Sequence, residues 1–382
     1  MNVAASEEIA NRAPVDPALG LYRVLGEDGH LVAADRSFDN ELVLRMYREM
    51  KRIRLLDQRM VMLQRQGRVG FYGACTGQEA AVVGAGLAAA PGDWIFPALR
   101  ENAIMLVRGF PLAPYIAQVY GNARDPLKGR QMPAHISSRS VNHVSWSSCV
   151  GTQIPQAVGA GWAARLRGDA MVSLGFLGDG ATSEADFHAA LNFAAVFQAQ
   201  TVLVCQNNQW AISVPVSRQT AAPTLAVKAR AYGLPAIRAD GNDVLAVYEV
   251  LSEALERARS GHGPTFIELL TYRVAPHSTS DDPSRYRSSD DVEAWIKKDP
   301  LDRLVAYLEA KKLLSAEADL HFEQDTLEEI RKAIDEVESY GPPDLASLFD
   351  DVYAEMPAHL EEQRDVLEKS PRVHHRKQSE SG

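Results

Sequence analysis

Two polar motifs, Gly-Asp-Gly at residues 178–180 and Asn-Asn at residues 207–208, each follow a short apolar run of the chain. Runs of this length are typical of buried strands, and the residues between the motifs have the apolar spacing of a helix. A right-handed crossover of about 30 residues sets neighbouring parallel strands side by side. We therefore expect Asp179 and Asn208 at one carboxyl edge of a sheet, where open α/β sheets bind ligands.

The oxygens of these two side chains are hard donors, which suit magnesium or calcium. Magnesium usually takes one or two protein ligands and completes its shell with phosphate and water. Gly178 and Gly180 allow the backbone to approach a ligand closely. Ser183 and Asp186 resemble a capping box, and a helix start near Ser183 offers free N–H groups to an anion. The pair of motifs predicts a platform for a magnesium-bound diphosphate, whereas each motif alone is more often an ordinary surface turn or loop.

Three further groups of polar residues could serve such a site. Arg100 follows an apolar run and could make a bidentate contact to phosphate, although a lone arginine is more often solvated. His277 lies in a polar loop and can titrate near neutral pH, which makes it the natural candidate for a general acid–base. The third group precedes a helix predicted to begin near residue 154 or 155, and it consists of Ser147, Ser148, Thr152 and Gln153. Its oxygens could hold a monovalent cation, but capping of the helix is the interpretation that the residues alone favour.

Apolar periodicity outlines the elements that must position these residues. Helices are predicted at residues 42–66, 79–90 and 244–258, strands at residues 94–96, 171–177, 201–205 and 265–274, and a short strand with a turn at residues 236–243. The alternation of strands and helices indicates an α/β fold with a doubly wound, mostly parallel sheet. The segment 21–35 is expected to form a hairpin or an arm that lies on a partner.

The chain divides into four predicted regions. They are an N-terminal extension or arm over residues 1–40, an α/β domain over 41–290 that carries the site, a helical C-terminal region over 291–370 and a disordered tail over 371–382. Three charged amphipathic helices are expected in the C-terminal region, interrupted by the Gly-Pro-Pro sequence that begins at residue 341.

Composition excludes several classes of protein. The 382 residues carry a formal net charge of −10, which disfavours a nucleic acid or an anionic membrane as partner. The three cysteines lack metal-ligand spacing and fit free thiols in a reducing compartment. No apolar run reaches transmembrane length, and the N-terminus lacks the pattern of a signal peptide. We expect a cytoplasmic protein.

Several sequence blocks together resemble one enzyme family. They are GQEA at residues 77–80, GRQMPAH at 129–135, TQIPQAVGAG at 152–161, the spaced GDG and NN motifs, and PHSTSDDPSRYR at 276–287. The spaced motifs resemble the signature of thiamine-diphosphate enzymes. The whole set resembles the alpha subunit of the thiamine-diphosphate-dependent, decarboxylating component of 2-oxoacid dehydrogenase complexes. Within that family, HSTSDD and DGNDVLAVY look most like the branched-chain 2-oxoacid (2-oxoisovalerate) enzymes, and pyruvate and acetoin enzymes are the alternatives.

The resemblance implies a thiamine-diphosphate-binding fold and a role for each matching residue. Asp179, Asn208 and the backbone carbonyl of Trp210 would hold Mg²⁺. The residues implied along the cofactor are Arg100, Ser148, Val150, Gly178, Gly180, Ala181, Arg273 and His277. The histidine would assist acyl transfer to a lipoyl group. Ser147, Thr152 and Gln153 match a monovalent-cation site, such as K⁺, of some relatives, which makes this interpretation as good as the cap. Ser278 matches a serine that is phosphorylated in animal relatives.

The resemblance also implies partners, because the glutamate that activates the cofactor in this family lies on a separate beta subunit. An α2β2 heterotetramer, a lipoyl-bearing acyltransferase and a small 2-oxoacid substrate are therefore expected. Two positions depart from the family pattern, which usually has tyrosine at Leu99 and often has arginine at Gln206. Both departures concern the pocket, and they are the only support for a third alternative, a non-catalytic homologue.

Overall fold

The structure is a computed structural model, and it describes residues 19–371. The predicted N-terminal extension therefore lies outside the described residues as far as residue 18, and so does the predicted tail from residue 372 onward. The strands are β1 (Trp94–Phe96), β2 (Ser173–Gly178), β3 (Thr201–Asn207), β4 (Trp210–Ala211), β5 (Val214–Pro215), β6 (Ala236–Asp240) and β7 (Thr265–Leu270). The α-helices are α1 (Asn40–Arg65), α2 (Glu79–Ala88), α3 (Ile104–Val107), α4 (Leu112–Tyr120), α5 (Gln153–Arg167), α6 (Ala185–Phe197), α7 (Val227–Arg230), α8 (Val244–Arg259), α9 (Ser289–Ile296), α10 (Pro300–Ala310), α11 (Ala316–Glu338) and α12 (Ala358–Lys369).

Five parallel strands form the central sheet in the order β1-β2-β3-β7-β6. The strands β2 and β3 are neighbours in register, with Ser173 opposite Thr201 and Gly178 opposite Gln206. Both are almost fully buried, as expected for parallel strands that are covered on both faces. The separate pair β4 and β5 is antiparallel. This arrangement confirms the predicted α/β fold with a mostly parallel sheet.

Helices cover both faces of this sheet. On one face, Val202 and Val204 of β3 belong to a core cluster that includes buried residues of α1, α2, α8 and α10. On the other face, Leu203 and Cys205 belong to a cluster with buried residues of α5 and α6. Successive strand residues point to opposite faces, so one short strand contributes to both cores. This division makes the fold doubly wound, as predicted.

The segment after residue 20 lies against the chain's own sheet. The backbone N–H of Tyr22 donates to the carbonyl of Arg238 at 2.8 Å, and the N–H of Asp240 donates to the carbonyl of Tyr22 at 3.0 Å. Leu25 and Leu31 then form an antiparallel bridge around a turn. The hairpin is therefore present, and it covers the free edge of β6 within the same chain.

The C-terminal region differs from its prediction in the number of helices. Four α-helices, α9 to α12, lie at residues 289–369 of the described chain, where three were predicted. Short turns at residues 297–299 and 311–315 separate the first three helices, and the apolar periodicity of the sequence did not reveal these interruptions. Leu304 and Leu308 of α10 join the core that contains α2 and α8, and Ile330 and Ile334 of α11 pack with α1 and α4.

No helix within residues 19–371 combines the length and the apolar character that a membrane crossing requires.

Asp243 fixes two parts of the chain at once, which leads to a first prediction. Its carboxylate caps α8 by accepting from the N–H groups of Leu245 and Ala246, and it also accepts from Val24 and Leu25 at 2.7 Å each. Replacing Asp243 with alanine removes the cap and leaves buried N–H groups without an acceptor. We expect a loss of about 3 kcal/mol in the free energy of unfolding. Chemical denaturation followed by circular dichroism measures this change.

The control is Asp39→Ala, which removes the cap of α1 from an exposed position with one side-chain hydrogen bond. We expect a loss of about 1 kcal/mol for this variant. Equal losses for the two variants would show that the contacts of Asp243 with residues 24 and 25 do not contribute to stability.

Candidate active site

A cavity of about 750 Å³ opens at the carboxyl edge of the central sheet. It lies where β2 and β3 end, which is the edge predicted from the two polar motifs. The predicted site residues that line it are Arg100, Ser147, Ser148, Val150, Gln153, Gly178, Asp179, Gly180, Ala181, Asn208, Trp210, Arg273 and His277. Of the residues predicted for the site, Thr152 is the one that does not line the cavity. Leu99 and Gln206, the two departures from the family pattern, also line it.

Asp179 presents a buried carboxylate at this edge, with an exposed fraction of 1%. Its Oδ2 accepts a hydrogen bond from Nε2 of Gln219 at 2.8 Å. Burial raises the pKa of Asp179 to about 6, although the bond from Gln219 and the charge of Arg273 favour the ionised form. Among residues 19–371, this buried carboxylate has no ion-pair partner. Burying an unpaired charge costs free energy, and a bound cation would offset that cost.

Asn208 lies in a network of amide groups. Its Nδ2 donates to Oε1 of Gln78 at 3.1 Å, and the same oxygen accepts from Nε2 of Gln206 at 3.1 Å. The Oδ1 of Asn208 accepts from the backbone N–H of Trp210 at 3.3 Å. Because an amide oxygen has two lone pairs, this geometry leaves one of them available to a ligand such as a metal ion.

Arg273 contacts the protein backbone. It is 1% exposed, and it donates to the carbonyl of Trp210 at 3.2 Å and to the carbonyl of Ile212 at 2.6 Å. The same guanidinium also donates to the hydroxyl of Tyr286 at 2.9 Å. Its predicted role was to neutralise phosphate charge. In the structure it fixes the turn that carries the predicted carbonyl ligand, and it brings a positive charge to the cavity wall.

Arg100 and His277 are in contact with each other and line the same cavity. The guanidinium of Arg100 donates to the carbonyls of Ala74 and His277. Burial and the charge of Arg273 lower the pKa of Arg100 to about 10. Burial, followed by the charges of Arg100 and Arg273, lowers the pKa of His277 to about 4. The expectation that His277 titrates near neutral pH is therefore wrong for the chain by itself, and a bound anion would oppose the effect of the two arginines.

The two glycines beside Asp179 have different reasons to be glycine. A Cβ atom at Gly178 would meet nothing within 4 Å, so this backbone has open space beside it. A Cβ atom at Gly180 would lie 2.7 Å from the Cβ of Ala211, so the close approach of β4 requires glycine there. Space for a ligand therefore exists at Gly178, whereas Gly180 is needed for packing within the chain.

The capping box predicted at Ser183 is wrong. Residues 179–183 form a 3-10 turn, and α6 begins at Ala185 without a side-chain cap. The hydroxyl of Ser183 donates to the carbonyl of Gln219 at 3.4 Å instead. Because the turn uses these residues, the helix starts one position later than the capping box implies, and Glu184 is its N-cap.

The polar cluster before α5 does not cap that helix, so the cap interpretation is wrong. The Thr152 hydroxyl donates to the carbonyl of Cys149, and Oγ of Ser147 accepts from the N–H of the same cysteine. Gln153 donates to the carbonyl of Phe176 at 2.8 Å, and its buried Oε1 has no hydrogen-bond partner among the described residues. An acceptor without a donor suits a cation, and the monovalent-cation site stays a prediction.

Ser148 is held by a histidine that was not predicted as part of the site. Its hydroxyl lies 2.7 Å from Nε2 of His135, and Nδ1 of that ring lies 3.2 Å from the carbonyl of Pro133. Because the carbonyl can only accept, Nδ1 carries the proton and Nε2 accepts from the serine. The His135 ring also stacks on Trp146, with centroids 3.8 Å apart. Val150 is 56% exposed at the mouth of the cavity.

Sequence analysis did not assign Gln78, His135 or Gln219 to the site. Gln78 and His135 belong to the blocks GQEA and GRQMPAH, which signalled the family but carried no individual role. Gln219 lies 40 residues after Asp179, and its sequence surroundings gave no indication of their contact.

The donor set fits a hard divalent ion. The lining includes Asp179, Asn208 and Trp210, which offer a carboxylate, an amide oxygen and a backbone carbonyl, together with two arginines, and open space adjoins Gly178. Within the described residues, no cluster of three or more histidine, cysteine or acidic side chains could hold a metal. A site of the Mg²⁺ type does not need such a cluster, because one or two protein carboxylates with phosphate and water suffice.

Comparison with known proteins identifies a family. The sequence model of the protein family described as dehydrogenase E1 component matches residues 47–346 of this chain. A relative from Pseudomonas aeruginosa, named 2-oxoisovalerate dehydrogenase subunit alpha, is 42% identical over 360 residues, which cover 92% of this chain and 88% of the relative.

Two eukaryotic relatives extend this similarity. The mitochondrial 2-oxoisovalerate dehydrogenase subunit alpha 1 of Arabidopsis thaliana is 40% identical over 92% of this chain and 76% of its own length. The mitochondrial 2-oxoisovalerate dehydrogenase subunit alpha of Mus musculus is 39% identical over 91% of this chain and 79% of its own length.

Proposed function

Because the chain belongs to the dehydrogenase E1 component family, we propose that it is the alpha subunit of a branched-chain 2-oxoacid dehydrogenase. The proposed reaction is the oxidative decarboxylation of a 2-oxoacid, with transfer of the acyl group to a lipoyl group. Membership of the family implies dependence on thiamine diphosphate. The observation that supports the proposal most is the cavity that brings Asp179, Asn208 and the Trp210 carbonyl to one sheet edge.

The protein would hold the cofactor through a magnesium ion. We propose that Asp179, Asn208 and the Trp210 carbonyl bind Mg²⁺, whose remaining positions go to diphosphate and water. Arg100 and Arg273 place two positive charges where the phosphates would lie. The backbone of residues 178–181 would run along the diphosphate, while Ser148 and Val150 would face the organic part of the cofactor.

The chemistry that thiamine diphosphate supplies when bound is nucleophilic attack on the keto carbon and storage of the electron pair that decarboxylation releases. The chain itself contributes position and electrostatics. The imidazole of His277, which lines the cavity, can accept or return a proton there while the acyl group leaves for the lipoyl carrier. The oxygens of Ser147, Thr152 and Gln153 would hold a monovalent cation such as K⁺.

The proposed partners follow from the names of the relatives and from the site. These relatives are named as alpha subunits, and we propose a beta subunit that completes the active site in an α2β2 heterotetramer. A lipoyl-bearing acyltransferase would receive the acyl group. Within this chain, residues 41–290 would form the cofactor-binding domain and residues 291–370 a helical region that supports it.

A substrate comparison tests the proposal. The chain is produced together with its beta subunit, and reduction of an artificial electron acceptor is measured with 3-methyl-2-oxobutanoate, pyruvate and acetoin. We expect kcat/KM for the branched-chain acid to exceed that for pyruvate at least about tenfold, since each methylene in an apolar pocket contributes about 1–3 kcal/mol. Faster turnover of pyruvate or acetoin would make the branched-chain assignment wrong. Absence of turnover, together with no calorimetric binding of thiamine diphosphate, would indicate a non-catalytic homologue.

A further inference from the structure

We propose that Gln78 and Gln219 are positioning residues, which orient Asn208 and Asp179 so that one oxygen of each faces the metal ion. This inference rests on the proposed function, because it concerns the same magnesium site. Neither glutamine is among the metal ligands proposed above, and each contacts one of them through its side-chain amide.

Gln78 determines the orientation of the Asn208 amide. Its side chain is fully buried, and its Oε1 accepts from the amide groups of both Asn208 and Gln206 at 3.1 Å. An oxygen that accepts from Nδ2 of Asn208 holds that nitrogen away from the metal position. The Oδ1 atom is therefore turned toward the cavity wall, where the N–H of Trp210 occupies one of its lone pairs.

Gln219 holds one oxygen of Asp179. Its Nε2 donates to Oδ2 of Asp179 at 2.8 Å and to the carbonyl of Val214 at 3.1 Å. The second bond anchors the glutamine to β5, so the carboxylate is held against a fixed part of the backbone. The carboxylate plane is then set before any ion enters the site.

Both orienting groups are neutral amides, which is important for an ion site. A lysine or arginine in the same place would repel the metal, whereas an amide fixes direction without a competing charge. Groups that hold metal ligands in this way typically contribute about 10–100-fold to metal affinity. The alternative is that the two glutamines contribute only to packing. That alternative predicts that their variants lose stability without a specific loss of metal binding.

The experiment measures Mn²⁺ affinity by electron paramagnetic resonance in the alpha–beta assembly with thiamine diphosphate at saturation. The variants are Gln78→Met and Gln219→Met, which keep side-chain length but lose the amide. We expect Mn²⁺ binding to weaken about 10–100-fold in each variant. In steady-state assays, the KM for Mg²⁺ should rise by a similar factor, and kcat at saturating Mg²⁺ should change much less.

Two further variants distinguish positioning from packing. Gln118→Met is the matched control, because Gln118 is a buried glutamine that accepts from the N–H of Ser137 outside the cavity. Its Mn²⁺ affinity should stay within about twofold of the wild type. Gln78→Glu retains an accepting oxygen and adds a negative charge near the ion, so its affinity should be no weaker than that of the wild type, and an affinity as weak as that of Gln78→Met would contradict the positioning role.

The outcomes separate this inference from the proposed function. Wild-type affinity in both methionine variants, with melting temperatures like that of the control, would overturn the positioning role while leaving the metal site intact. If Gln78→Met fails to fold, Gln219→Met at its partly exposed position decides the question. Absence of Mn²⁺ binding by the wild-type assembly would overturn the metal site itself and the proposed function with it.

Discussion

Replacement of Asp179 with alanine is expected to weaken the binding of thiamine diphosphate in the presence of Mg²⁺ by at least about 100-fold. The variant removes the one carboxylate, and hence the one negative charge, among the three proposed ligands. Removing a charged ligand from a buried site costs about 3 kcal/mol or more, which corresponds to that factor. Isothermal titration calorimetry on the alpha–beta assembly, with Mg²⁺ held constant, measures the change.

Asp186→Ala is the matched control for this prediction. Asp186 lies seven residues further along, in the first turn of α6, and it does not line the cavity. Its variant should bind the cofactor within about twofold of the wild type. Unchanged binding in a folded Asp179→Ala assembly would contradict the proposed ligand set, since no other acidic side chain is assigned to the ion.

The second large effect is expected for His277→Asn, which should slow acyl transfer to a lipoyl acceptor at least about 100-fold. General acid–base groups typically contribute a factor of about 10²–10⁴. The pKa of His277 is lowered to about 4, so the imidazole is neutral above that value and is ready to accept a proton. Its contribution should therefore be lost as pH falls through its pKa, and the variant should lack this acidic limb of the pH–rate profile. Binding of thiamine diphosphate should change much less than acyl transfer.

Two assays on the same variant separate this role from a general disturbance of the site. Decarboxylation with an artificial electron acceptor does not require the lipoyl group, and its rate should fall far less than acyl transfer. His30→Asn, which alters an exposed histidine in the N-terminal hairpin, should leave both rates unchanged. An equal loss in both assays would show that His277 acts before acyl transfer or only supports the structure.

The parts of the fold that could be predicted from the sequence are those set by local pattern and chain geometry. Short apolar runs at residues 171–177 and 201–205 indicated neighbouring parallel strands, and β2 and β3 are in that arrangement. Once two parallel strands are adjacent, the residues that follow them share one edge. That geometry was sufficient to bring Asp179 and Asn208 to the same cavity, although their roles stay predictions.

Helix starts and caps could not be predicted with the same success. A 3-10 turn at residues 179–183 delays α6, and Thr152 bonds to the loop before α5 instead of capping it. Both outcomes depend on which nearby backbone group a side-chain hydroxyl bonds to. A serine or threonine can bond to a loop carbonyl as readily as it caps a helix, so residue type alone does not decide between the two. Helix boundaries are uncertain by one or two residues for the same reason.

Long-range side-chain contacts were also beyond the sequence pattern. Gln78 reaches Asn208 across 130 residues, and Arg273 reaches the Trp210 carbonyl across 63. The sequence shows that residue 273 is positively charged. Whether its guanidinium donates to phosphate or to backbone carbonyls depends on how the loop after β3 folds. The lowered pKa of His277 depends on tertiary structure in the same way, because it arises first from burial and then from the charges of Arg100, which is distant in sequence, and of Arg273.

The proposed divalent-ion site uses three oxygens at one sheet edge of this chain. A crystal structure of the alpha–beta assembly with thiamine diphosphate and Mg²⁺ tests it most directly. We predict Mg²⁺ at about 2.1 Å from a carboxylate oxygen of Asp179, from Oδ1 of Asn208 and from the carbonyl of Trp210, with diphosphate oxygens completing the shell. A diphosphate bound elsewhere, or an ion that contacts neither Asp179 nor Asn208, would contradict it.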